Sequence, residues 1–278
     1  MAAGLGAIAL WGALATLSVL AGPIPPFQMV AMTFAIGAVI GIVRARGRGL
    51  GWQALMGWPA RVWLLGVGGL FGYHALYFAA LQLAPAAEAN LVNYLWPLLI
   101  VLLSAPLAGV RLGWPHIGGA LLGFAGVALL ALGRGVSFTG AYALGYLLAL
   151  GCAFAWSLYS VLSRRFGETP TDAIASFCAA AAILSLICHL LFESTVWPAT
   201  PIAWLAVLAL GIGPTGGAFY LWDHAVKRGD IRTLGALSYA APILSTALLV
   251  LCGLAPPTLA LLVAALLVTA GALVASLV

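Results

Sequence analysis

Two stretches of this chain place polar and aromatic side chains on shared helical faces. Asn90, Asn93, Tyr94 and Pro97 follow the i, i+3, i+4, i+7 spacing, and Trp156, Tyr159, Ser160 and Ser163 repeat it. His74 and Tyr77 stand one turn apart, as do Tyr220 and His224. Amide, hydroxyl and imidazole groups beside rings suit the binding of a ligand that is flat and apolar at one end and zwitterionic at the other. Pro97 and Pro242 lack the amide hydrogen that would bond the carbonyl four residues back. The carbonyls of Asn93 and Ser238 are thereby released, either to accept from a substrate ammonium or to be satisfied by water or a neighbouring hydroxyl. Ser238 and Tyr239 therefore join the candidate binding residues, and Pro97, Pro214 and Pro242 mark the helix breaks.

The chemistry that is missing narrows the field. No Walker-type phosphate loop, metalloprotease His-Glu pair or nucleophile elbow occurs, so the sequence predicts no enzyme, no cofactor and no metal site. No carboxylate is expected deep in a helix, which leaves His74 as the titrating group nearest the candidate site. His189 reads as a satisfied core histidine. Asp223, Lys227 and Asp230 read as a solvated helix end, and Glu88 is placed similarly at the opposite boundary. Trp96, Trp156 and Trp222 suit interfacial anchoring or packing as well as ligand contact, with Trp222 nearest the anchoring role.

The elements that must hold these residues follow from composition. Of 278 residues 64% are hydrophobic and 6% charged, too few charges to cover a water-soluble surface and too apolar for disorder. The reading is an all-α polytopic membrane protein with ten spans, near 3 to 22, 27 to 43, 62 to 83, 88 to 107, 115 to 133, 141 to 163, 172 to 192, 202 to 224, 232 to 253 and 257 to 277. Continuous apolar runs favour helices over barrel strands. Ten of the eleven cations fall on even-numbered loops, Arg134 alone on the other side, which predicts both termini in the cytoplasm. The net charge of +5 reflects that asymmetry and calls for no nucleic acid, although it permits attraction to anionic lipid. No basic residue precedes the first span, which argues against a cleaved signal. Cys152, Cys178, Cys188 and Cys252 fall within spans without metal spacing and read as packing residues. Gly37-x-x-x-Gly41 and Gly119-x-x-x-Gly123 permit close helix approach within the chain or between subunits, a monomer being favoured over a dimer.

One offset of 145 residues relates Trp11 to Trp156, Gly66 to Gly211, Gly68 to Gly213, Gly72 to Gly217, Tyr94 to Tyr239, Pro97 to Pro242 and Gly126 to Gly271. It predicts two five-helix repeats, residues 1–139 and 140–278. An odd number of spans per repeat inverts one against the other, the usual basis of alternating access.

Ala9-Leu10-Trp11-Gly12, the Ala155-Trp156 to Ser163-Arg164-Arg165 stretch and the paired Tyr94-x-x-Pro97 and Tyr239-x-x-Pro242 resemble the EamA-type members of the drug/metabolite transporter superfamily. More narrowly, the chain is similar to aromatic amino-acid exporters of the YddG type. The resemblance covers essentially the whole chain. It implies a ten-helix basket in a bacterial inner membrane, a cavity between the halves and export of small molecules. With the candidate faces it points to phenylalanine, tyrosine and tryptophan; a facilitative pore, or an exporter of another metabolite class, is the competing reading.

Overall fold

The computed structural model describes residues 1–132 and 136–276, and Arg134 lies outside the described residues. These residues form helices and no strands. In chain order the helices are α1 (Ala2–Gly12), α2 (Leu14–Ala21), α3 (Pro26–Gly47), α4 (Trp52–Met56), α5 (Ala60–Val67), α6 (Tyr73–Leu83), α7 (Ala86–Asn93) and α8 (Trp96–Ala108). They continue with α9 (Trp114–Leu132), α10 (Ala143–Arg165), α11 (Ile174–Phe192), α12 (Pro201–Ile212), α13 (Ala218–Arg228), α14 (Ile231–Leu237), α15 (Ala240–Leu251) and α16 (Leu259–Ala275). Nine helical stretches of the described residues are long and apolar enough to cross a membrane, and α16 is a shorter apolar helix. The outward faces carry large apolar side chains such as Leu190, Phe192, Leu205 and Leu251, while much of the polar chemistry is turned inward.

Packing is interleaved along the chain. Helix α3 lies along α11 and α9 along α16; α1 packs on α13 and α15, and α10 on α6, α7 and α8. Small residues make the close approaches possible. Gly37 meets the Cα of Gly216, Gly41 meets the Tyr220 hydroxyl, and Gly119 meets the Gly271 carbonyl. Both predicted small-residue pairs are thus used within the chain.

The expected interruptions take two physical forms. At Gly68–Gly72 and Gly213–Gly217 the helix widens into a π-turn rather than breaking, joining α5 to α6 and α12 to α13. At Tyr94-Leu95 and Ser238-Tyr239 the helix stops for a tighter turn, and α8 and α15 restart just ahead of Pro97 and Pro242. Proline near a helix start removes only an amide that would be unbonded there, so these restarts are natural. The Ser238 carbonyl does not stay free: it accepts the Ala241 N–H at 3.1 Å.

Candidate functional site

An aromatic box occupies the middle of the molecule. Trp156 of α10 lies 5.7 Å from Trp11 of α1, 6.3 Å from Trp96 of α8, 5.7 Å from Phe219 and 6.3 Å from Trp222 of α13, as ring centroids. Trp11 reaches the π-turn directly, its indole N–H donating to the Pro214 carbonyl at 3.1 Å. Tyr73 and Tyr77, one turn apart on α6, stack at 6.1 Å, and Tyr73 tilts against Trp156 at 5.8 Å. Five helices, α1, α6, α8, α10 and α13, therefore contribute rings to one surface, and a π-turn carbonyl holds one of them in place.

Trp222 is fully buried, and its indole N–H donates to Ser160 Oγ at 2.9 Å. The anchoring role expected from its place near a charged helix end is replaced by a core role. Ser160, expected to meet the ligand, is occupied in holding that ring. Tyr159 packs its ring on Gly69 and is almost wholly buried beside Trp156.

The amide side chains are also engaged. Asn90 donates to the Ala86 carbonyl at 2.7 Å and accepts the Tyr77 hydroxyl at 2.6 Å. Asn93 donates to the Tyr73 hydroxyl oxygen at 3.0 Å and accepts the Cys152 thiol at 3.2 Å. His74 Nδ1 lies 2.7 Å from the Leu70 carbonyl, so that nitrogen carries the hydrogen and Nε2 presents a lone pair. An imidazole in this tautomer accepts a hydrogen bond at Nε2.

Other expected residues lie apart from the box. Tyr220 donates to the Gly37 carbonyl at 3.0 Å and joins α13 to α3. Tyr239 is fully buried against Phe124, and its hydroxyl oxygen accepts the Leu98 N–H at 3.2 Å, tying the α14–α15 turn to the start of α8. Tyr94 packs into that same cluster. Ser238 donates to the Leu234 carbonyl at 2.7 Å, an ordinary back-bond within the helix. The structure brings together His74, Tyr77, Asn90, Asn93, Trp156, Tyr159 and Ser160, sets Tyr220 and Tyr239 in helix-to-helix contacts, and turns Ser238 back on its own helix.

Sequence reasoning missed Tyr73 and Phe219, and used Trp11 only as a repeat landmark and as part of the family-like Ala9-Leu10-Trp11-Gly12 motif. A signal for Tyr73 existed in its i, i+4 relation to Tyr77.

The charged groups need correction as well. Asp223 is 2% exposed and Lys227 10%, with Nζ 2.8 Å from Oδ1; Thr171 donates to Asp223 at 2.8 Å and Lys227 to the Thr169 carbonyl at 2.8 Å. This is a buried ion pair that fastens α13 to the segment before α11, in place of a solvated end. Glu88 is buried and accepts the Ser137 N–H at 2.8 Å. His189 bonds Glu193 and Thr195, each at 2.9 Å, in agreement with a satisfied core histidine. Asp230 behaves differently. Burial raises its carboxyl pKa, but hydrogen bonds from Arg232 and Thr233 outweigh that effect and hold it below the usual carboxylate value. No group of three or more His, Cys, Asp or Glu suited to a metal occurs among the described residues.

The model of the EamA-like transporter family matches residues 1–132 and 143–277. The chain is 55% identical to the aromatic amino acid exporter YddG of Ancylobacter novellus, over 99% of this chain and 96% of that protein. It is 27% identical to the aromatic amino acid exporter YddG of Salmonella typhimurium, over 59% of this chain and 57% of that one. A solved crystal structure superimposes with a TM-score of 0.95 at 54% identity, covering 99% of this chain and 95% of that chain. With nearly its full length matched, the chain belongs to the EamA-like transporter family of the drug/metabolite transporter superfamily.

Proposed function

We propose that this protein exports aromatic and other large neutral amino acids across a bacterial inner membrane by alternating access. The observation that carries the reading is the cluster of Trp11, Trp96, Trp156, Phe219 and Trp222 packed beside Tyr73, with Tyr77 and His74 against Tyr73, in a chain 55% identical to an aromatic amino acid exporter. Rings bind the side chain by stacking, while His74 Nε2 accepts from the ammonium. Ten spans in two inverted repeats, 1–139 and 140–278, surround the site. Support comes from the separate family matches and from π-turns that start at Gly68 and Gly213, 145 residues apart. Both termini are cytoplasmic under the positive-inside rule, and rocking of one half against the other exposes the site to each side in turn.

Counterflow in proteoliposomes loaded with unlabelled phenylalanine tests the proposal. Labelled phenylalanine or tryptophan should accumulate without ATP and with little response to an imposed pH gradient. Uptake of another metabolite class with no aromatic amino acid carried would refute the substrate. Open-pore rates with no trans-stimulation would refute alternating access in favour of a facilitative pore.

A further inference from the structure

Residues 1–87 contain four basic side chains and no carboxylate, and all four fall between Arg44 and Arg61, in the stretch that joins α3 to α5 through α4. Arg48 is spent on Asp172, at 2.9 Å. Arg44 and Arg46 are exposed, and among the described residues no carboxylate lies within ion-pair distance of either. Helix α4 is pinned to the protein at Leu55, which is 1% exposed and whose carbonyl accepts the Ser176 hydroxyl of α11 at 2.7 Å. Trp52 and Met56, one turn apart on the same short helix, are left 54% and 58% exposed. The Arg46 guanidinium lies over the Trp52 ring, 4.2 Å from its centroid. The positive-inside rule calls for cations on this side of the bundle, but not for a seat that holds one of them on an exposed indole.

We infer that residues 44–61 form a docking surface for anionic phospholipid of the leaflet they face, with Trp52 and Met56 lodged at the level of the headgroups and Arg44 and Arg46 taking the phosphates. Both parts of such a lipid are needed to cover this surface. A soluble anion would pair with the arginines and leave Trp52 and Met56 in water, whereas a neutral lipid would cover the apolar side chains and leave the arginines without counter-charge. A guanidinium stacked on an indole keeps the N–H groups of its edge free, and these meet phosphate oxygens two at a time. The proposed orientation makes this the cytoplasmic leaflet; the docking itself depends neither on that orientation nor on the cargo. The surface is well placed to act on the moving parts. Helix α3 runs from it to Gly37, which meets Gly216 in one π-turn, and α5 runs from it into the other π-turn at Gly68. A lipid held at residues 44–61 therefore braces the helices that lead to both.

The test is thermal unfolding of the purified full-length protein in neutral-detergent micelles titrated with phosphatidylglycerol or phosphatidylcholine, since a ligand of the folded state raises the unfolding temperature as its site fills. Phosphatidylglycerol should stabilise the wild-type protein at a lower share of the micelle than phosphatidylcholine does, and added salt should raise the share required. Arg44→Gln/Arg46→Gln should raise the half-stabilising share of phosphatidylglycerol about thirtyfold, equivalent to about 2 kcal/mol. Trp52→Ser, which removes the seat of Arg46, should raise it about threefold. Arg165→Gln/Arg228→Gln takes the same charge from other exposed positions on the same side and should respond as wild type does. Equal stabilisation by the two lipids, an unchanged response in Arg44→Gln/Arg46→Gln, or an equal loss in Arg165→Gln/Arg228→Gln overturns the inference. Stabilisation by inorganic phosphate to the same extent as by phosphatidylglycerol also overturns it, in favour of a soluble anion. Should the arginine variant fail to fold, the wild-type salt series decides: a phosphatidylglycerol response that salt leaves unmoved overturns the inference, and one that salt weakens supports it. No step of the test uses transport, so its failure is separate from any failure of the proposed function.

Discussion

Replacing Asp223 by Asn should destabilise the protein more than its place at a helix end suggests. The carboxylate is 2% exposed, bonded to Lys227 at 2.8 Å and to the Thr171 hydroxyl at 2.8 Å. Neutralising it leaves the Lys227 ammonium, 10% exposed, with the Thr169 carbonyl as its principal partner. Breaking a buried pair from one side costs about 3–5 kcal/mol, because the remaining charge is stranded out of water. Lys227→Met strands the carboxylate in the same way and should cost a similar amount. The double variant Asp223→Asn/Lys227→Met removes both charges and should recover most of the loss. Thermal unfolding in detergent should place each single variant on the order of 10 °C below wild type and the double within a few degrees of it. The pair also fixes the turn of α13 that carries Trp222, so the single variants should raise the KM for tryptophan. A double variant as unstable as the sum of the singles would refute the pairing and return these residues to independent, solvated roles.

Ser160→Ala strands the buried Trp222 indole N–H and should cost about 1–3 kcal/mol, read as a lower unfolding temperature with reduced tryptophan transport. Gly69→Ala forces a methyl group into the Tyr159 ring at the π-turn and should destabilise by about 1–3 kcal/mol, whereas Gly68→Ala, which meets open space, should be far milder. The Asp230 carboxyl is held below its ordinary value of 3.8, so its stabilisation is full above that value and is lost as pH falls through the lower folded value. Asp230→Asn should therefore flatten the acid limb of a plot of unfolding temperature against pH and lower stability at neutral pH. Cysteines at Gly49 and Glu168, both exposed, should be labelled only from the cytoplasmic side, and labelling from outside would overturn the orientation; Ala45 is fully buried and unsuited to the purpose.

What could be read from the chain alone divides along a physical line. Apolar runs, glycine clusters and prolines report on backbone solvation and torsion, which are local, so the helices and the sites of their interruptions were legible, although the π form taken at Gly68–Gly72 and Gly213–Gly217 was not. The shared face of Asn90 and Asn93 was legible for the same reason, since spacing alone sets a face. Partners across the bundle were not. Ser157 donates to the Trp96 carbonyl at 2.9 Å, and Thr171 reaches Asp223 from 52 residues away, contacts that no periodicity encodes. Trp222 was misplaced because its depth along α13 resembles that of an anchor, whereas its burial is decided by Ser160 and Trp11 on other helices. The direction of each hydrogen bond was equally hidden. Asn90 and Asn93 have the right chemistry for a ligand, yet their principal bonds are made to the protein.

That internal satisfaction bears on how an amino acid could be carried at all. A polar group left unpaired in a dry site costs about 1–3 kcal/mol whenever the site is empty, so a transporter that must return without cargo is better served by few free groups than by many. Here Asn90 fixes Tyr77, Asn93 fixes Tyr73 and Ser160 fixes Trp222, each bond holding an aromatic ring in place. The polar residues of the two sequence stripes thus act mainly on the rings, and in the proposed function it is the rings that meet the substrate. Under that proposal, binding rests on stacking with a small number of oriented dipoles and no fixed charge. Affinity on the order of millimolar, equivalent to about 4 kcal/mol, follows from such a site, and weak binding suits an exporter that must release its cargo and reset unloaded.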